Sequence, residues 1–568
     1  MELSRRELIQ LLLGAPALAS VLSPGCHPPP RLPAAGQLLG QSLEVGHRLR
    51  DGFQPQPDVG SWQDLPVVIV GGGVSGLSAA WRFRQRGFND FVVLELEPDP
   101  GGTVRSGTCS LCKFPWGAHY VPAPLPEHHL LIQLLADMGV VESTADDGTP
   151  VIAEQFLCRE PEERLFFGGE WIDGLYPATG ASPDDLAQLD AFRREVDRWV
   201  EWRDSAGRRA FAVPSRLSSD DSQVTHLDQD SVAEWLRRQG WNSPRLHWLV
   251  DYSCRDDYGL SAEQTSAWAG LFYFAARQRT AGSGHQPLIT WPEGNSPLIS
   301  HLLQNLGTSV RTGAAVTQIR PVGPPSRSAV PAPAAGARPT RISPAAQNSP
   351  AAPDSVEVVW YDTQTREAAG IRARHVIFAA PQFLAPRLIA DFTQRTGRQT
   401  DLFRYGSWFV ANLHLQDRPR EGRVPLSWDN VIHDSRSLGY VVATHQTGLD
   451  HGPTVLTWYC PLCDEESRDA REKLLQASWA DLADVVLTDL ERAHPEIRQL
   501  TTRLDVFRWG HAMVQPIPGF RTSRQRQAAA VPDGRIHFAH SDLSGIALFE
   551  EAFDHGCRAA DEVLEAFA

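Results

Sequence analysis

The residues best equipped for chemistry form one glycine run and one acid further along. Gly71-Gly72-Gly73-Val74-Ser75-Gly76 follows the apolar stretch 67–70 and opens a helical pattern with Leu77, Ala80 and Trp81 on one face. A second apolar stretch, 91–94, ends in Glu95. Strand, glycine turn, helix, strand and acid, in that order, make a dinucleotide site. Gly71 gives the tight turn, Gly73 admits backbone to a pyrophosphate, and Gly76 lets the helix pack on the strand. Val74 and Ser75 begin the helix, whose free N–H groups and partial positive charge suit phosphate. Glu95 stands where a carboxylate accepts ribose hydroxyls. His511 is the titratable residue best suited to act as a base, and His119 is a second histidine of interest. Only two of the 53 basic residues are lysines, Lys113 and Lys473, so lysine chemistry has two candidates. The pairs Cys109/Cys112 and Cys460/Cys463 would hold zinc only if the fold joined them; disulfides and free thiols are the alternatives, and no metal is expected.

Gly101-Gly102 lies six residues beyond Glu95. With it, the chain resembles the flavin-containing amine oxidoreductase superfamily: amine oxidases, protoporphyrinogen oxidases and phytoene desaturases. The resemblance implies FAD. It places Gly101, Gly102 and Thr103 near the pyrophosphate. Thr103 replaces the family's usual Arg, which leaves Arg105 as the nearest counter-charge. Gly117-Ala118-His119 resembles the segment beside the flavin ring. Val316 falls where the family contacts adenine through backbone. Ser541-Asp542 corresponds to the acid at the ribityl and phosphate, and Phe549 starts a helix aimed at the pyrimidine end. His511 falls where some relatives tether flavin through Cys.

The resemblance also implies hydride transfer from a small organic substrate to FAD, with oxygen or another acceptor taking the electrons. Amine oxidases of the family use a lysine on a substrate-sheet strand and two caging aromatics. Here the matching strand, 406–413, has no lysine, and the cage positions fall near Ala512 and Leu548. These departures favour dehydrogenation of a C–C or related bond. Amine oxidation is the alternative, and a flavin-binding partner protein with little turnover is a third reading.

The chain has 568 residues and a net charge of −15, which argues against a nucleic-acid partner. Residues 1–26 read as a twin-arginine export signal. Arg5-Arg6 precedes an apolar run too short and broken to span a bilayer. The expectation is therefore an exported protein, handled by the twin-arginine machinery and periplasmic or held at the periplasmic face. Gly25 before Cys26 fits a lipid-attachment box and Ser23 departs from it, so a lipid anchor at Cys26 stays open.

The expected fold is α/β, a Rossmann-like FAD-binding domain interleaved with an α+β substrate domain. Residues 27–64 read as a Pro/Gly/Gln-rich linker. The FAD-binding domain takes 65–149, 289–385 and 506–568. The substrate domain takes 150–288, read as helical throughout, and 386–505, read as a sheet followed by one helix over 471–493. Ser182-Pro183 starts a helix with Leu186, Leu189, Phe192, Val196, Trp199 and Val200 on its apolar face. Residues 321–354, dense in Pro, Ala and Ser, read as a disordered tip inserted into a β-hairpin.

Overall fold

The computed structural model describes residues 32–322 and 355–568. Arg5, Arg6, Cys26 and nearly all of the 321–354 insert lie outside the described residues.

Along the chain come β1 (Ala35–Gly40), α1 (Leu43–Arg50), β2 (Trp62–Val70), α2 (Val74–Gln85) and β3 (Phe91–Leu94). Next are β4 (Glu163–Phe167), β5 (Glu170–Asp173), α3 (Pro183–Glu201), α4 (Pro244–Tyr258) and α5 (Ala267–Ala275). Then follow β6 (Val310–Arg311), β7 (Ala314–Val322), β8 (Ser355–Asp362), β9 (Ala368–Phe378) and β10 (Tyr405–Leu415). The rest are β11 (Asp429–Ile432), β12 (Tyr440–Val442), β13 (Thr454–Pro461), α6 (Ser467–Gln476), α7 (Trp479–Leu490), β14 (Thr501–Val514), β15 (Ile536–Phe538) and α8 (Phe549–Phe567).

Two sheets organise these elements. The first has the order β6-β3-β2-β9-β8-β7, with β15 paired to β9. Its centre is parallel and apolar on both faces, as a sheet covered by helices requires: Val67, Val68, Ile69, Val93, Ile377 and Phe378 are fully buried. Helices α2 and α8 pack on one face so closely that a Cβ on Gly556 would lie 2.2 Å from the Ser75 carbonyl oxygen. The second sheet has the order β1-β14-β10-β13-β12-β11-β4-β5 and is mainly antiparallel around β10. Helices α6 and α7 cover one side of it, and α3, α4 and α5 form a separate helical cluster.

The structure corrects four readings of the sequence. The 27–64 segment is not a plain linker: β1 adds a parallel strand to β14, and α1 follows it. Its Pro and Gly content hid a six-residue pairing whose stabilising partner lies near the other end of the chain. The 150–288 stretch is not helical throughout, because β4 and β5 extend the second sheet. The single helix over 471–493 is two, broken where Ser478 caps α7 through a capping box with Asp481. Residues 506–514 belong to β14 of the second sheet, because the strand begun at Thr501 runs on through Val514 in the ladder with β10. Elsewhere the patterns translate directly. Ser182 caps α3 with Asp185, and all but Leu186 of the expected apolar face is buried. The β7–β8 hairpin forms, its strands in register up to Val322 opposite Ser355. The strand runs through Pro321 and Val322, so the inserted tip begins later than its composition suggested.

Candidate functional site

A cavity of about 470 Å³ lies between the two sheets. One end is built by backbone. After β2 the chain turns at Gly71, whose φ of 103° is open to glycine alone. A Cβ there would sit 2.7 Å from the Ala379 carbonyl oxygen at the tip of β9. A Cβ on Gly76 would sit 1.9 Å from the Gly71 carbonyl oxygen. Gly76 therefore packs the helix onto the turn and is not part of the cavity wall, whereas Gly71, Gly73, Val74 and Ser75 are. No side chain caps α2 at Gly73, so its first N–H groups are available to the cavity. Ser75 Oγ is buried there with no hydrogen-bond partner. The second diglycine closes over this turn: Gly101 N–H donates to the Gly72 carbonyl at 2.8 Å, and Gly101 and Gly102 both take positive φ.

Glu95 sits at the tip of β3. Its Oε2 accepts from Gly72 N–H at 2.6 Å and its Oε1 from Glu97 N–H at 2.7 Å. Burial pushes its carboxyl upward against the pull of those two N–H donors. A carboxylate has about four acceptor positions, so both oxygens keep one for a further hydroxyl. An orphaned hydroxyl, free helix amides and a half-satisfied buried acid are the groups a pyrophosphate and an adjoining ribose would satisfy. The residues present fit a dinucleotide.

Gly101, Gly102, Thr103, Gly117, Ala118, His119, Val316, His511, Ser541, Asp542 and Phe549 also line the cavity. Gly117 lies flat on the diglycine loop, where a Cβ would be 2.1 Å from the Thr103 carbonyl oxygen. Arg105 is not on the wall; it pairs with Glu97 at 3.3 Å and Asp99 at 3.5 Å. Asp542 accepts from Gln382 N–H at 2.9 Å and from the Tyr405 hydroxyl, and His540 Nδ1 lies 2.8 Å from its other oxygen. His511 stacks on Phe383 with ring centroids 4.4 Å apart, and burial pushes its pKa down to about 3. A shift in that direction weakens the imidazole as a proton acceptor, which counts against a general-base role and leaves His511 on the cavity wall. His119 stacks on Tyr459, and burial holds it down at about 4. Lys113 pairs with Glu293 and Lys473 with Glu465, and neither lines the cavity.

The end away from Glu95 is built by side chains. Tyr120, Asp256, Asp257 and Arg277 share the wall with Trp408 and Tyr459 there. Arg277 holds both oxygens of Asp257, at 2.9 and 2.7 Å. Asp256 forms no ion pair among the described residues; its hydroxyl partner is Tyr120, at 3.5 Å. Burial first, and the neighbouring Asp257 second, raise its pKa to about 7.

Comparison with known proteins identifies the cofactor. Residues 353–564 match the flavin containing amine oxidoreductases, and residues 69–137 match the NAD(P)-binding Rossmann-like domain. The chain belongs to the flavin-containing amine oxidoreductase superfamily. Its cofactor is FAD. A solved putrescine oxidase has the same fold, with a TM-score of 0.61 and 18% identity, covering 89% of this chain and all of that one. Cyclohexylamine oxidase from Brevibacterium oxydans is similar at a TM-score of 0.58 and 16% identity, covering 89% of this chain and 100% of that one. A fatty acid isomerase from P. acnes gives 0.58 and 13%, covering 89% and 99%. A curated Baeyer-Villiger monooxygenase from Streptomyces coelicolor is 26% identical over 211 residues, 32% of this chain and 40% of its own length. One from Penicillium patulum is 50% identical over 40 residues, 7% of this chain. The chain thus spans 40% and 6% of the length of these two curated relatives.

Against the superfamily's FAD, the sequence reading missed Asp256, Asp257, Arg277 and Tyr459 as wall residues. Asp256 and Asp257 sit near the C-terminus of α4, beside residues buried as ordinary core. The one available signal was an acid pair following the run Tyr252-Ser253-Cys254, which burial makes costly unless it serves a purpose. The structure also places Ala512 and Leu548, the positions expected to cage an amine, on the wall.

Proposed function

We propose that the protein is an FAD-dependent oxidoreductase acting on a small organic amine. FAD, when bound, supplies the acceptor for a hydride from the substrate carbon. The observation that carries the amine reading is Asp256: a carboxyl on the cavity wall, in no ion pair among the described residues, bonded to the Tyr120 hydroxyl and sharing the wall with the Tyr459 ring. A carboxylate in a poorly solvated cavity attracts an ammonium far more strongly than one in water, and aromatic faces add about 0.5–2 kcal/mol. With a pKa of about 7, Asp256 can take the ammonium proton at an Oδ and leave the neutral amine that hydride loss requires. The likeness to oxidases of putrescine and cyclohexylamine supports this by fold alone.

A second reading is dehydrogenation of a C–C bond. No lysine lines the cavity, and Ala512 and Leu548 stand where the family's amine oxidases have aromatics. An anaerobic screen separates the two, with FAD-loaded protein mixed with monoamines, diamines and polyenes. Amines should bleach the flavin absorbance, and Asp256→Asn should slow that reduction about 10²-fold while leaving flavin content unchanged. Bleaching by a polyene and by no amine would favour the second reading. No turnover with either would leave a flavin-binding partner protein. Export by the twin-arginine route is part of the proposal, motivated by Arg5-Arg6. Changing both to Lys should retain the loaded protein in the cytoplasm.

A further inference from the structure

The N-terminal segment reaches the cofactor cavity. Gln41, Gly46 and Leu49 lie on the same wall as Glu95 and Val316. Three anchors hold them there. β1 pairs through six residues with β14 of the second sheet, from Ala35 opposite Arg503 to Gly40 opposite Arg508. Gly36 makes that approach feasible, since a Cβ would lie 2.2 Å from the Leu504 carbonyl oxygen and 2.4 Å from the Trp479 ring. Ser42 then donates to Glu97 twice, from its N–H at 2.7 Å and from its hydroxyl at 3.1 Å. Serine at a helix start ordinarily caps its own helix, but this one caps nothing in α1. Its hydroxyl is turned to the acid two residues beyond Glu95. Finally, the Arg48 guanidinium lies 3.8 Å over Phe53, whose ring meets Tyr361 of β8 edge-on. Leu49 packs against the cluster containing Val70, Leu94 and Val316.

From these contacts we infer that residues 41–49 form part of the FAD site: a strap across its adenosine end, with Gln41, Gly46 and Leu49 facing the nucleotide and Ser42–Glu97 as its clasp. This rests on FAD as the resident cofactor. The strap lies at the Glu95 end of the cavity, clasped to Glu97 and packed with Leu94 and Val316. It therefore sees the AMP half of FAD, which FMN lacks, and has no part in substrate binding.

That difference supplies the test. Apoprotein is titrated with FAD and separately with FMN, for wild type, Leu49→Asp and Ser42→Ala. Leu49→Asp should weaken FAD at least about tenfold, equivalent to about 1.4 kcal/mol, and leave FMN within twofold. Ser42→Ala should shift FAD in the same direction by less. In wild-type protein, amide hydrogen exchange over residues 41–50 should slow about tenfold on loading with FAD and not on loading with FMN. Unchanged FAD affinity in Leu49→Asp, equal losses for FAD and FMN, or exchange indifferent to FAD would each overturn the strap. The exchange measurement needs no variant, so it decides the matter even if a substitution prevents folding. Wild-type protein with no affinity for FAD would instead refute the cofactor assignment.

Discussion

Gly71, just past β2, and Trp509, within β14, belong to two sheets that open onto one cavity, and they serve it in opposite ways. The parallel sheet around β2, β3 and β9 presents backbone: turns, free amides and glycines whose missing Cβ atoms are what matter. The antiparallel sheet around β10, β13 and β14 presents side chains, and its backbone stays in its own ladder. Backbone delivery tolerates almost no substitution, because a clash with a carbonyl has nowhere to relax. Side-chain delivery tolerates exchange of ring for ring or acid for amide, with changes in preference more than in structure. The cofactor end should therefore respond to mutation in an all-or-none manner, and the substrate end by degrees.

The largest effect should follow Gly76→Val. The added Cβ meets a backbone oxygen at 1.9 Å, so the protein should purify without flavin or fail to fold, read as loss of visible absorbance. A flavin-loaded Gly76→Val would break the comparison. Next is Glu95→Ala, which leaves the amides of Gly72 and Glu97 unpaired in a buried place. At about 1–3 kcal/mol for each orphaned group, FAD affinity should fall about 10²-fold or more in equilibrium titration.

The substrate end should show its gradation through pH. Burial first, and the neighbouring Asp257 second, raise the Asp256 carboxyl well above its ordinary range, to about 7. A raised carboxyl binds its proton more tightly in the native state, so its contribution to stability is present at low pH. That contribution is lost as pH rises from about 4 through about 7. The melting temperature of Asp256→Asn should consequently fall less over that window than that of wild type. A cationic substrate should bind more tightly as pH rises through about 7, and this dependence should vanish in the variant. The smallest effects are expected far from both ends. Lys113→Arg and Lys473→Arg should leave flavin reduction within about twofold, because both lysines are paired outside the cavity. Replacing residues 323–354 by a short Gly-Ser turn should leave flavin content unchanged, since Val322 and Ser355 are already paired and closure cost varies slowly with length.

The same contrast explains what could be seen in the sequence. The dinucleotide turn is local: its glycines, helix and acid fall within 25 residues, and each glycine answers to one steric demand. Residues 71–76, 95 and 101–102 therefore stood out. Tyr120, Asp256, Arg277, Tyr459 and Trp509 come together only after both sheets and the helical cluster have packed, and no spacing links them. His511 drew attention by its chemical type, and the fold stacks it on Phe383, where burial shifts its pKa downward. The β1–α1 segment was unreadable for a further reason. Its strand has a partner only in β14, so its periodicity carries no information until that register is known.

The β1–β14 pairing has a consequence for how the molecule is made. A ribosome synthesises β14 only after most of the chain, so β1 has no partner until translation is nearly finished. The strand β1 then stays unpaired until β14 is made, and its pairing is among the last native contacts to form. Such long-range pairing slows folding, and here it links completion of the second sheet to closure over the first. A chain that stalls before β14 would leave the edge of β1 unpaired, which distinguishes incomplete molecules from finished ones.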